Sequence, residues 1–153
     1  MAPSPGPEQR DRGVPRRLQV PAIGVDAAVE RVSLAADGSQ EVPGSLHKVG
    51  WWRSGSRPGG QGNVVLVGHA ARTRDGVFDD LGLVGVGDEI VVHADEVVRY
   101  RVVATDVIPV EAFVDQATDI YRTTGDAGVV LMACSGWDGQ EYATTTVVRA
   151  ILS

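Results

Sequence analysis

This sequence holds one cysteine, one lysine and three histidines among 153 residues, and each scarcity removes a class of chemistry. A single cysteine forms no internal disulfide, so the fold does not depend on an oxidising compartment. Cysteine-rich zinc sites are excluded as well, and His47, His69 and His93 lack the HxxxH or HExxH spacing of a histidine metal site; no structural zinc and no other cofactor is expected. There is no GxxxxGK[ST] loop, and Gly59-Gly60-Gln61-Gly62 precedes an apolar run instead of leading from strand to helix, so it reads as a turn. No apolar stretch approaches the roughly 18 to 20 residues that span a bilayer. The start lacks the apolar segment of a signal peptide, so the chain as given is expected to be soluble. Aspartate and glutamate (20) outnumber lysine and arginine (14), and the net charge of −6 argues against a nucleic-acid partner. The arginines at positions 10, 12, 16 and 17 read as a solvated tail.

What is present is a chain 43% hydrophobic but only 5% aromatic, enough for one domain packed mainly by Val, Leu and Ala. Residues 1–16, rich in proline and glycine, cannot bury apolar area and are expected to form a disordered linker, leaving 17–153 as the domain. From there, short β-branched or apolar runs alternate with Gly, Pro and Asp-Gly signals. The runs are Leu18 to Val20, Val25 to Val32, Val64 to Gly68, Glu89 to His93, Val97 to Pro109, Val129 to Cys134 and Tyr142 to Leu152. This spacing predicts an all-β barrel or sandwich. In the longest run Val98, Tyr100 and Val102 alternate with Arg99 and Arg101, which sets one face in the core and one in solvent. Turns are expected at Asp37-Gly38 and Asp138-Gly139. Helix signals are confined to a turn or two at 77–81 and 111–117.

The chemistry-bearing residues lie where two of these runs end. Val129-Val130-Leu131-Met132-Ala133 closes on Cys134, and Val64-Val65-Leu66-Val67-Gly68 closes on His69. A thiol and an imidazole at two strand ends suggest a nucleophile and its acid/base partner. Each residue alone has a plainer reading, cysteine as a small core hydrophobe and histidine as a loop filler. His69 stands apart from His47 and His93 because Gly68 before it permits close approach and the segment 70–76 after it reads as an exposed loop. A free thiol has a pKa near 8.5, so an efficient enzyme needs a mouth that lowers it.

These residues occur in an order that resembles the sortase family. Leu18-Gln19-Val20-Pro21-Ala22-Ile23-Gly24-Val25-Asp26-Ala27 is similar to the opening strand pair of sortases. It is followed by Val49-Gly50-Trp51-Trp52, then Gly62 to His69, Gly76-Val77-Phe78-Asp79-Asp80-Leu81 and Val86-Gly87-Asp88-Glu89-Ile90, in the order of the actinobacterial class F type. The resemblance spans about residues 17 to 152. It implies an eight-stranded β-barrel and a membrane-anchored cysteine transpeptidase acting at the cell surface, where the Pro-rich start would follow an anchor. The implied substrate is an LPxTG-type sorting signal of a surface protein, with an amine such as a cell-wall precursor as acceptor and the enzyme itself a monomer. Cys134 is then the nucleophile, and His69 the group that protonates the leaving amine and later deprotonates the incoming one.

Two departures from the family pattern stand out. The residue before the cysteine, threonine in the family, is Ala133, a candidate substrate contact here without its hydroxyl. The arginine that would bind substrate and the oxyanion is expected at about 143–145, where the sequence reads Ala143-Thr144-Thr145. Arg149, the only arginine on that strand, is one candidate, although four to six extended residues place it about 13 to 20 Å from the expected position. Arg72 or Arg74, in the loop after His69, is another, and backbone N–H groups alone are the third. Trp137 is the candidate wall of a substrate groove. The neighbours Trp51 and Trp52 are expected on opposite faces, both serving packing more than ligand stacking. Beside an active sortase stand a sortase-like barrel that has lost efficient catalysis and binds peptide, and an unrelated cysteine hydrolase, for which no residue to orient His69 is evident.

Overall fold

The computed structural model describes residues 12–33, 41–71, 75–137 and 142–153, and for 134–137, 142 and 143 the main chain alone. Eight strands run β1 (Arg17–Val20), β2 (Val25–Val32), β3 (Val49–Trp52), β4 (Asn63–Val67), β5 (Glu89–His93), β6 (Val97–Pro109), β7 (Gly128–Trp137) and β8 (Tyr142–Leu152). One helix, α1 (Phe113–Ile120), lies between β6 and β7. The strands close into a barrel in the order β1-β2-β3-β4-β7-β8-β6-β5, as the sequence predicted for an all-β chain.

Two of the neighbouring pairs are parallel, β2 with β3 and β4 with β7. A parallel pair needs a long return path, and β5, β6 and α1 supply it between β4 and β7. All five residues of β4 are buried, which explains why, after Asn63, its sequence is a continuous apolar run without alternation. Val64 and Leu66 point into the barrel with Val129 and Leu131, while Val65 and Val67 join Val130, Met132 and Ile120 in a second cluster outside it. That outer cluster lies under α1. A helix of eight residues is too short to stand by itself, so its fully buried Ile120, worth about 1.5 to 3 kcal/mol of apolar burial, holds it on the sheet.

The alternation read in β6 holds: Val98, Tyr100 and Val102 are interior and Arg99 and Arg101 exposed. The register against β8 then shifts between Val102 and Ala104, a bulge that bends the longest strand around the barrel. The two neighbouring tryptophans face opposite ways. Trp51 is buried in the interior and its indole N–H donates to the Ser56 carbonyl at 3.2 Å. Trp52 lies outside, edge-on to Tyr121 with ring centroids 4.9 Å apart.

The linker expectation changes from Arg12 onward. Arg12 N–H donates to the Pro58 carbonyl, Arg12 pairs with Glu96, Arg16 donates to the Ala94 carbonyl at 2.7 Å, and Val14 packs on the core. The approach to β1 is therefore bonded to the barrel; residues 1–11 lie outside the described residues, as do both expected turns at 37–38 and 138–139.

Candidate active site

The parallel ladder between β4 and β7 decides what the two strand ends can do. Asn63 faces Gly128 and Val67 faces Met132, each β4 residue meeting the one 65 positions later. Gly68 N–H donates to the Met132 carbonyl at 3.1 Å and so closes this last pair. Carried two residues past the last pair, the same 65-residue offset corresponds to His69 and Cys134. Both strands therefore end at the same end of the barrel, one running on to His69 and the other carrying Cys134. On the other flank of β7, Cys134 is paired with Thr145 of β8.

His69 is half-buried and fixed at both its ring and its main chain. Its Nε2 lies 2.5 Å from the carbonyl of the buried Pro43, and since a carbonyl only accepts, that nitrogen carries the hydrogen. Its own carbonyl accepts the Phe78 N–H at 2.9 Å. The absence of a side chain at Gly68 serves this packing. A Cβ there would lie 2.7 Å from Val77 and 2.8 Å from Phe78, so the turn at 77–80 closes directly over the strand end. Close approach at Gly68 was expected from the sequence; the approaching partner is the chain's own turn.

Ala133 has its side chain in the barrel interior, 3% exposed among the apolar core residues, and so contributes packing and not a wall of the mouth. It faces Thr146, which is also buried. Arg149 pairs in register with Val130, four positions from the level of Cys134 and Thr145, or about 13 Å along the strand. Its guanidinium donates to Gln116 at 3.1 Å and to Asp106 at 3.5 Å, and lies 3.6 Å from Asp119. Arg149 thus lies against α1, away from the strand ends that carry His69 and Cys134. Where the resemblance implied an arginine on β8, Thr144 and Thr145 stand, both half-buried. Arg72 and Arg74 lie outside the described residues, as do the side chains of Cys134 and Trp137.

Two contributors escaped the sequence reading, Pro43 and Asp79. Pro43 acts through a main-chain carbonyl, which no residue type advertises. Asp79 had a signal: an aspartate three residues after Gly76 at the start of a turn is placed to accept backbone N–H groups. Its Oδ1 accepts the Ala71 N–H at 2.6 Å and its Oδ2 the Gly76 N–H at 3.1 Å.

A groove of about 380 Å³ lies beside this loop, with Asp26, Asp75, Asp79 and Asp80 in its lining. No group of three or more His, Cys, Asp or Glu side chains suited to a metal ion occurs among the described residues. No helix among the described residues is long and apolar enough to cross a membrane.

The sortase domain family matches residues 18–153. Among solved structures the chain is similar to sortase A of Corynebacterium diphtheriae (lid mutant), at 22% identity and a TM-score of 0.70, covering 96% of this chain and 74% of that one. It is similar to sortase A of Listeria monocytogenes at 23% identity and a TM-score of 0.69, covering 94% and 88%. Sortase C-1 of Actinomyces oris gives 22% identity and a TM-score of 0.69, covering 90% and 72%. The similarity thus extends over sortases of more than one class. No curated protein matches the chain.

Proposed function

The chain belongs to the sortase family, and from that premise we propose that it is a cysteine transpeptidase, of the class F type, cleaving an LPxTG-type sorting signal. The Cys134 thiolate attacks the carbonyl carbon of the signal's threonine, forming a C–S bond and an oxyanion. Collapse of the oxyanion breaks the Thr–Gly amide while His69 gives its proton to the departing glycine nitrogen. An amine acceptor then attacks the thioester, His69 takes its proton, and the thiolate leaves as the new amide forms. What supports this reading is the β4–β7 ladder, whose 65-residue offset, carried two residues past Val67–Met132, corresponds to His69 and Cys134. Location at the outer face of the membrane accompanies the proposal.

The oxyanion needs a donor, and Arg149 is already engaged with Gln116, Asp106 and Asp119 on the far part of β8. We assign Arg149 to holding α1, and the oxyanion to backbone N–H groups at the mouth together with Arg72, three residues after His69. Thr145 opposite Cys134 favours a second reading, a sortase barrel with little catalytic power that binds signal peptides. Cleavage of a quenched LPxTG peptide with an added amine separates the two. Turnover that is lost in Cys134→Ala and in Arg72→Ala supports the transpeptidase; binding of the peptide without turnover supports the second reading.

A further inference from the structure

The loop that follows His69 is closed by one carboxylate. Asp79 Oδ1 accepts from Ala71 and Oδ2 from Gly76, so one side chain ties together the two ends of segment 71–76. The turn bearing Asp79 is also hydrogen-bonded to itself through Asp79 N–H and the Gly76 carbonyl at 3.2 Å. It is hydrogen-bonded to the site through Phe78 N–H and the His69 carbonyl. There is no slack in this contact. A Cβ at Gly76 would fall 2.4 Å from the His69 carbonyl oxygen and 2.7 Å from Ala71 N, both main-chain atoms. The imidazole itself is held by the Pro43 carbonyl on Nε2.

We propose that Asp79 is a positioning residue for the transpeptidase reaction: by pinning Ala71 and Gly76 it holds the main chain of His69 so that Nε2–H stays on the Pro43 carbonyl and Nδ1 is the ring nitrogen that exchanges the proton with substrate. The inference rests on His69 being the acid/base group. Its physical basis is that a rotated or displaced imidazole cannot keep the Pro43 hydrogen bond, and a ring free to present either nitrogen spends less time aligned for transfer. A carboxylate suits the task better than a neutral acceptor because each oxygen takes one N–H, and charge-assisted bonds of this kind are the stronger ones.

The test compares the whole chain with Asp79→Ala, Asp79→Asn and Gly76→Ala by two readouts. The first is peptide cleavage as kcat and KM separately and as a function of pH. Asp79→Ala is expected to lose about 10- to 100-fold in kcat with KM little changed, the range for small misplacement of a reacting group. Asp79→Asn, which keeps an oxygen for Ala71 and loses the acceptor for Gly76, falls between. The second readout needs no activity: ¹⁵N spectra of the His69 ring should show Nε2 protonated and slowly exchanging in the wild type. Asp79→Ala and Gly76→Ala should give a mixed or fast-exchanging ring, at a melting temperature that still reports a folded barrel. If the wild type does not cleave the peptide but the ring signal changes as expected, the positioning stands and the assigned reaction fails. An unchanged ring signal in Asp79→Ala overturns the proposal whatever the kinetics show, as does a kcat equal to wild type.

Discussion

The two ends of the β4–β7–β8 sheet use the same kind of residue for opposite purposes. At the end where β4 begins, polar groups are tied to α1. Asn63, 6% exposed, donates to the carbonyls of Asp119 and Ile120, and Arg149 lies among Asp106, Gln116 and Asp119. At the end where β4 finishes, the paired register stops at Val67 and Met132, two residues short of His69 and Cys134. His69 is held there by uncharged main-chain groups, the Pro43 carbonyl at its ring and the Phe78 N–H at its own carbonyl. Polar residues at one end complete the fold; those at the other are the ones to which we assign the reaction.

The contrast breaks most sharply at Cys134. Cys134→Ala is expected to abolish thioester formation, read as loss of an acyl-enzyme mass after incubation with peptide, while the melting temperature stays near that of the wild type. His69→Ala should follow, with turnover lower by about 100-fold or more, the contribution of general acid–base catalysis, and the fold again intact. At the opposite end the effects exchange. Asn63→Ala leaves two helix-terminal carbonyls without their buried donor and should cost about 1 to 3 kcal/mol of stability by denaturant titration. Turnover by the remaining folded protein should not change.

How much of this contrast was legible in the sequence depends on the kind of interaction. The bounds of β5, β6 and β8 agree with the runs read from sequence, because each is bracketed by glycine, proline or aspartate signals. β3 was absent from those runs: Val49–Trp52 has four residues, one of them glycine, and gains its place by pairing with β2 in parallel and with β4 antiparallel. A Cβ at Gly50 would meet Val32 at 2.8 Å, so the residue that weakens the strand pattern is the one that lets the two strands pack. The offset of 65 between His69 and Cys134 was visible in the sequence, but only the parallel register gives it meaning. The departures at Ala133 and at 143–145 were also visible. That Ala133 faces the interior follows from the alternation of β7, which a strand buried on both faces conceals.

A smaller effect sharpens the comparison further. Arg149→Leu removes ion pairs whose aspartates are more than half exposed, so the expected loss is about 1 kcal/mol, with helix α1 loosening first in hydrogen exchange. The smallest effect is confined to alkaline pH. Burial raises the Tyr121 phenol to about 12. Below the unfolded value near 10 the phenol is protonated in both states and the stability is fully present; between about 10 and 12 only the unfolded chain ionises, and stability falls. Tyr121→Phe should reduce that alkaline decline in melting temperature while leaving neutral-pH turnover unchanged.

The most direct measurement is amine-dependent transfer from a quenched LPxTG peptide by Arg149→Ala and His69→Ala side by side, each normalised to folded protein. The predicted result is near-wild-type kcat in Arg149→Ala and loss of transfer in His69→Ala. A folded Arg149→Ala without activity, or a His69→Ala that still transfers, would contradict the division of labour between the two ends of the sheet.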